Sequence, residues 1–576
     1  MLNQRRSATH ALVRSAPLIT ALLVLAACAP GPGARPPDGA SEQASTPKTV
    51  RMAILDVTPA SLTDYGGSGT GGTALEHYFT FHAGLTMYDM AGNSIPHIAQ
   101  KLPSLDDGDW RLLPTGGMEV TWRLRPDVYW HDGTRLSADD FVLGFQIVTD
   151  PVVAAPSRGD VANIADVRAA DALTLVMTWK AQSIFGNSNA FDGVPAIPAH
   201  LFRELYPTGD VSVLENSFLW SSQWVGLGPY RVGEFAIGSH VEGLAFDQFF
   251  LGRPKIDRII IFYKGDANAM VAGVLAGDID VIPNGGSIDT AQMAAVRQVW
   301  GTEGGLTLAN PKGIRTLYLQ MRDQSTAWAR DVRFRQGLLH ALDREGYIEA
   351  LVFGLVPRAD FFIPLEDPVY RMAEERGLPR YTYDPQRAER LFNEAGYVRG
   401  PDRLLRSTTG QTVQLDVTSS SGGSNVQEAT TVAAQWSEAG LVSRPTPYSS
   451  SVDAREAKHD MQGAVVWPWN FSILVPRTFL SSEVGTAQNR WRGSNWGGYT
   501  NPAYARLYAE MTDTLDHRQR AEALFGMVKI IAEDLPSFPI HYHPDITIAR
   551  KGLEGPGARP AIQRASAANI HLWELR

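Results

Sequence analysis

A chain of 576 residues with a single cysteine, Cys28, has no disulfide available, so its fold must be held by buried apolar surface. That cysteine closes Leu25-Ala26-Ala27-Cys28, directly after an apolar run from about Ala16 to Val24, itself preceded by Arg5, Arg6 and Arg14. Basic residues, a short apolar run and small residues at its end are the three parts of a secretory signal. The run is shorter than the roughly 20 residues that span a bilayer. No later run is long and apolar enough to be a membrane span.

The Leu-Ala-Ala-Cys ending resembles the bacterial lipobox, which implies cleavage after residue 27 and a diacylated Cys28 as the anchor of the mature chain. Ala29 rather than an aspartate follows it, so the inner-membrane retention signal of some Gram-negative bacteria is absent. From Ala29 to about Thr49 the composition is Pro, Gly, Ser and Ala with hardly a large apolar side chain. Such a segment buries too little to fold and reads as a tether, reaching about 25 Å as a random coil. Loss of residues 1–27 removes three arginines and no acid, moving the formal charge from −9 to −12 and arguing against a nucleic-acid partner.

The remaining body, with 44% hydrophobic side chains overall, is too long for one ordinary domain and implies at least two lobes. Val120, Trp122 and Leu124 alternate with polar residues, the pattern of a half-buried strand, and Asp132-Gly133 marks a turn. Ser137 can cap a helix that carries Asp139 and Asp140 in its first turn, with Phe141, Val142 and Phe145 inward, ended by Asp150-Pro151. Ile259-Ile260-Ile261-Phe262-Tyr263 suits a strand covered on both faces. Asp266 starts a helix with Met270, Val271, Val274 and Leu275 inward, and a strand follows at 279–281. Asp384-Pro385 and Asn501-Pro502 each pair a cap with a proline at the first helical position. The first opens a helix with Leu391, Phe392 and Ala395 inward, stopped at Gly396; after the second come Tyr504, Leu507, Tyr508 and Met511 at helical spacing. Mixed strands and helices without a repeat predict an α/β body.

Six segments in order, TWRLRPDVYWHDGTRLSADDFVLGF (121–145), GLGPYRV (226–232), ANAMVAGVLAGDIDV (267–281), DVRFRQGLLHALDREGYIEALVFGL (331–355), YDPQRAERLFNEAGY (383–397) and GYTNPAYARL (498–507), resemble the bacterial extracellular solute-binding proteins of family 5. These are the oligopeptide-, dipeptide- and nickel-binding components of ABC importers. The resemblance implies a two-lobed Venus-flytrap body: a first lobe over 50–306 with a subdomain inserted at about 93–222, a second over 307–537, and a C-terminal return to the first lobe over 538–576. It implies a monomer without cofactor that holds a peptide or other small solute between the lobes and delivers it to a permease pair driven by cytoplasmic ATPases. It would work at the periplasmic or extracellular face.

In peptide-binding members an aspartate after a Trp-x-x motif pairs with the solute's α-ammonium; here Trp467-Pro468-Trp469 leads to Asn470, whose amide brings no charge. Free peptides, blocked peptides, sugars, opines and nickel complexes all stay open. Trp467 and Trp469 would share a face on a strand, or line the cleft from a loop. Asn495 and Trp496 precede Gly497-Gly498 in a Gly-rich segment, and Tyr318 lies in a strand-like run near the hinge. Tyr65, Gly71 and Thr73 are the first-lobe candidates, because glycine lets the main chain approach a ligand.

Two rival classes are a secreted hydrolase and a ligand-sensing lipoprotein. For the first, His131-Asp132 offers an acid–base pair, yet there is no Gly-x-Ser-x-Gly and no His-Glu-x-x-His. His541 and His543 alternate as metal ligands would, but no third ligand sits at a telling spacing, so a half-exposed strand of the C-terminal segment is the better explanation. A sensor would share the fold, and only a partner permease separates the two.

Overall fold

The alternation around Val120 makes a strand, Met118–Arg123, and Val120, Trp122 and Leu124 are all fully buried. It is paired with Trp110–Leu112 and Thr174–Trp179, and with Ile164–Asp171 completes a four-stranded antiparallel sheet with its own apolar core. Helix Ala138–Thr149 covers that core with Phe141, and Ser137 caps it through its N–H, which donates to Asp140 at 2.8 Å. Asp140 also accepts from the Ala199 N–H and the Trp130 indole, which offsets its burial. In this computed structural model the described residues are 46–55, 62, 72–153, 161–206, 210–283, 288–301, 304–421, 424–449, 454–471, 475–559 and 565–576. Pro47 to Arg576 form one compact unit.

The main framework is a ten-stranded sheet. In chain order its strands are Thr49–Leu55 (β1), Tyr230–Ala236 (β2), His240–Ala245 (β3), Arg258–Lys264 (β4), Val281–Ile282 (β5), Gly305–Leu319 (β6), Val417–Ser420 (β7), Pro445–Tyr448 (β8), Ala464–Asn470 (β9) and Ser537–Arg550 (β10). Across the sheet they run β8-β7-β9-β6-β10-β5-β1-β4-β3-β2. β6 and β10, of 15 and 14 residues, pair antiparallel from Gly305↔Arg550 to Tyr318↔Ser537. At one end β10 continues into β5, β1 and the first lobe; at the other β6 continues into β9, β7 and the second. The protein is therefore a two-lobed α/β structure whose lobes hang from one pair of strands. Asp280, fully buried, ties the first-lobe end together through Arg51 of β1 and Arg550 of β10, at 2.9 and 2.7 Å.

The helix-start signals act as expected. Asp266, Asp384 and Asn501 accept from main-chain N–H groups at the starts of Ala267–Ala276, Pro385–Glu394 and Pro502–Asp513. The second stops before Gly396, whose φ of 88° needs a residue without Cβ. Three local expectations are corrected. β4 is fully covered on one face and only partly on the other: Ile259, Ile261 and Tyr263 are buried while Ile260 and Phe262 are half-buried, so an unbroken apolar run overstated the cover of the second face. Leu275 points outward, since Met270, Val271 and Val274 already fill the inward stripe. The strand at 279–281 starts later, at Val281, because Asp280 is taken by its two arginines. The folded body also begins slightly before residue 50, where Lys48 N–H donates to Asp257 at 2.8 Å.

Among the described residues, no helix is long and apolar enough to cross a membrane. Cys28 and the tether up to residue 45 lie outside the described residues.

Candidate functional site

Midway along the β6–β10 pair the register slips between Pro311 and Gly313, leaving Lys312 as a bulge. The Lys312 ammonium lies 3.2 Å from the buried Asp545 carboxylate, and its carbonyl accepts from Phe471 N–H at 2.8 Å. Gly313 sits between His543 on one side and Asn470, the last residue of β9, on the other. A Cβ at Gly313 would collide with the Trp469 carbonyl, so glycine lets β9 approach here. The bulge thus brings the exposed Asn470 to the junction of the lobes. Burial first, then the charges of Lys312 and Arg315, holds His543 well below its ordinary pKa and keeps it neutral.

From the first lobe, helix Gly72–Phe81 contributes Glu76, which is fully buried. Its two oxygens accept from Ser566 and Ala567 N–H, each at 2.8 Å. Burial pushes its carboxyl up to about 7, opposed by Arg559, which also donates to Ser566 Oγ at 2.8 Å. Among the described residues, one Arg559 nitrogen and the Asn310 amide nitrogen are buried without a hydrogen-bond partner. Thr73 lies in the first turn of that helix, while Tyr65 and Gly71 lie outside the described residues.

The second-lobe candidates converge on one aromatic cluster. Trp467 and Trp469 are on β9, opposite Thr316 and Ile314 of β6, and share a face as strand spacing requires. Trp496 meets Trp467 edge-on at 5.1 Å and Tyr318 at 5.1 Å, while Trp469 packs on Phe362 and Phe479. Trp467, Trp469 and Trp496 are half-buried, but Tyr318 is buried behind them, and burial raises its phenol pKa. Asn495 is buried, its amide nitrogen donating to the Leu480 and Tyr499 carbonyls and its oxygen accepting from Tyr499 N–H. Those bonds commit it to shaping the loop. The Gly-rich segment after it is pinned rather than loose, since Gly497 O accepts from Met321 N–H at 2.7 Å.

Beside this cluster opens a recess of about 470 Å³, lined by Lys458, His459, Trp491, Arg492, Gly493 and Trp496. The Lys458 ammonium stands 3.6 Å above the Trp467 ring and 5.0 Å from that of Trp496. None of Lys458, His459, Trp491 and Arg492 was singled out from sequence. The interleaved Arg490-Trp491-Arg492-Gly493-Ser494-Asn495-Trp496, basic and aromatic together, was the available signal.

The residues of the rival readings have other work. The partly buried His131 accepts from Gly226 N–H through Nδ1 and donates to Gly228 O through Nε2, which fixes the neutral ring. Burial pushes its pKa down to about 4. Asp132 instead meets His200 at 2.7 Å, so the two neighbours form no acid–base pair. His541 is fully buried against Tyr347 instead of half-exposed, and its Nδ1 contacts the Tyr542 carbonyl at 2.9 Å. Nearby, Arg315 and Tyr347 both donate to Glu428, a buried set that fastens helix Ser424–Glu438 to β6. Among the described residues no group of three His, Cys, Asp or Glu could hold a metal.

The model for bacterial extracellular solute-binding proteins, family 5 middle, matches residues 104–491. The chain belongs to that family. It is 22% identical over 496 residues to the oligopeptide-binding protein AppA of Bacillus subtilis, covering 85% of each chain. To heme-binding protein A of Haemophilus influenzae it is 24% identical over 549 residues, covering 91% of this chain and 92% of that one. Among solved structures, NikA of Brucella suis in complex with Fe(III)-EDTA aligns with a TM-score of 0.72 at 18% identity, over 92% of this chain and all of that one. AppA and heme-binding protein A are named for the solutes they bind, and the alignment with NikA shows a shared fold.

Proposed function

We propose that this protein is the solute-capturing component of an ABC importer, holding a peptide or peptide-like solute between its lobes and presenting it to a permease pair. The observation that carries this reading is the sheet itself, in which both lobes hang from the paired strands β6 and β10. A body so built needs only that the solute stabilise the closed arrangement over the open one. No bond is made or broken. The family and the relatives named above support the reading; a catalytic role finds no support in His131, which is spent on Gly226 and Gly228.

The contact set consists of Trp467, Trp469, Asn470 and Trp496 from the second lobe and Tyr65, Gly71 and Thr73 from the first. Tyr318 and Asn495 support the wall from behind. Residues 1–27 act as an export signal and Cys28 as a lipid anchor, with the lobes at 50–306 and 307–537, the four-stranded sheet as the inserted subdomain, and 538–576 returning to the first lobe. The neutral Asn470 favours a second reading, a solute without a free ammonium, such as a blocked peptide, a sugar or an opine.

A thermal-shift screen of the purified protein against free and N-acetylated di- to octapeptides, sugars, opines and nickel tests both, paired with small-angle scattering for closure. A solute at 100 times its Kd stabilises the fold by about 2.7 kcal/mol. A shift with lobe closure for free peptides supports peptide import; a shift only with solutes lacking an ammonium moves the function to the second reading. No shift and no closure with any class overturns solute capture.

A further inference from the structure

The indoles of Trp467 and Trp496 meet edge to face, ring centres 5.1 Å apart and 85° from parallel, and form a right-angled corner. Both side chains are half-buried, so part of the corner faces solvent. The main chain fixes its walls. Trp467 lies in β9, paired with Thr316 of β6. Trp496 stands between Asn495, whose amide nitrogen donates to the Leu480 and Tyr499 carbonyls, and Gly497, whose carbonyl accepts from Met321 N–H at 2.7 Å. Tyr318 backs the second ring at 5.1 Å.

What occupies the corner is a cation of the chain itself. The Lys458 ammonium is 3.6 Å from the centre of the Trp467 ring and 5.0 Å from that of Trp496, both inside the roughly 6 Å over which a cation is drawn to an aromatic face. Lys458 is mounted differently from the rings it meets. It belongs to the six-residue helix Ala454–His459 and reaches the corner on a flexible four-carbon stem. Walls set by the sheet and a side chain free to rotate suit an exchangeable occupant, because the site is organised before the solute arrives. The recess of about 470 Å³ that Lys458 and Trp496 both line gives room for the displaced stem and for the rest of a solute.

We infer that the corner of Trp467 and Trp496 is a site for a cationic group of the solute, a protonated amine or a quaternary ammonium, which takes the place of Lys458. The inference rests on the solute-capture reading and narrows its class. Exchange brings in one positive charge as another leaves, so Arg492, which lines the same recess, opposes the solute's cation no more than it opposes Lys458. The ring faces thereby supply the attraction for a cation that the neutral Asn470, about 10 Å along β9 from Trp467 at strand spacing, does not.

Choline and its uncharged isostere dimethylbutanol are titrated into the protein and into its Lys458→Gln and Trp467→Leu variants at constant ionic strength, followed by calorimetry and tryptophan fluorescence. The expected result is weak choline binding to the unaltered protein, about tenfold tighter binding to Lys458→Gln, loss in Trp467→Leu, and about tenfold weaker binding of the isostere. Circular dichroism of the coupled indoles shows whether the corner persists without Lys458, and the titration of the unaltered protein tests the site even where it does not. Failure of choline to bind both the unaltered protein and Lys458→Gln, equal binding of the isostere, or an affinity unchanged in Trp467→Leu overturns the site. Choline binding with no gain in Lys458→Gln, its indole coupling intact, overturns the exchange with Lys458. A solute from the screen that closes the lobes yet binds both variants as it binds the unaltered protein overturns the corner alone, leaving capture intact.

Discussion

At Asn470 an amide offers a donor and an acceptor but no charge, and its position at the end of β9, beside Gly313, places it where the lobes meet. Asn470→Asp is expected to raise affinity for a free-amine tripeptide by about tenfold or more relative to its N-acetylated form, from one charge-assisted hydrogen bond. Calorimetry on the two peptides measures the ratio, and an unchanged ratio removes Asn470 from the contact set. His131 has the opposite character: its two ring nitrogens hold the Gly226–Gly228 turn. His131→Ala is expected to cost about 2 kcal/mol of stability in urea denaturation, about 1 kcal/mol for each lost bond, with solute affinity unchanged. Both residues could be picked out from sequence, Asn470 by its motif position and His131 by its Trp-His-Asp-Gly turn. Their partners, some hundred or more positions away in the chain, could not.

At the scale of elements, local chemistry was readable because it acts within a few residues. The caps at Ser137, Asp266, Asp384 and Asn501 each satisfy their own helix end. Burial of β4 was misread since coverage of its second face depends on elements that pack there, not on the strand's own side chains. Helix Gly72–Phe81 and the C-terminal segment Ser566–Leu572 meet through Glu76, a contact separated by 490 residues. With its carboxyl pushed up to about 7, Glu76 keeps its proton in the folded chain after the unfolded chain has lost it. Its contribution to stability is therefore full below about pH 4.5 and lost as pH rises to about 7, on the order of 3 kcal/mol. Glu76→Gln is expected to flatten this part of the stability–pH curve, measured by denaturation at pH 4.5, 6 and 7.5; an unchanged slope would sink the assignment.

For the whole molecule, the paired strands β6 and β10 join the two lobes, and Lys312 with Asp545 forms an ion pair at the bulge in that pairing. Breaking a buried pair from one side leaves the other charge poorly compensated. Lys312→Met is expected to destabilise by about 3 kcal/mol, and Lys312→Met with Asp545→Asn by clearly less. A double mutant as unstable as the single one would show the pair to be incidental.

The amino-acid sequence by itself determined the α/β class, the helix starts, the export signal pattern and, through six ordered segments, the family, since each of these is written in neighbouring residues. Tertiary structure alone decided that β6 and β10 would carry both lobes, that Tyr318 and Asn495 would stand behind the wall, and that Lys458 would meet Trp467 and Trp496 beside the recess that Arg492 also lines. Those groupings join residues far apart in the chain, and their side chains come together only when the buried sheet fixes where each strand and loop must end.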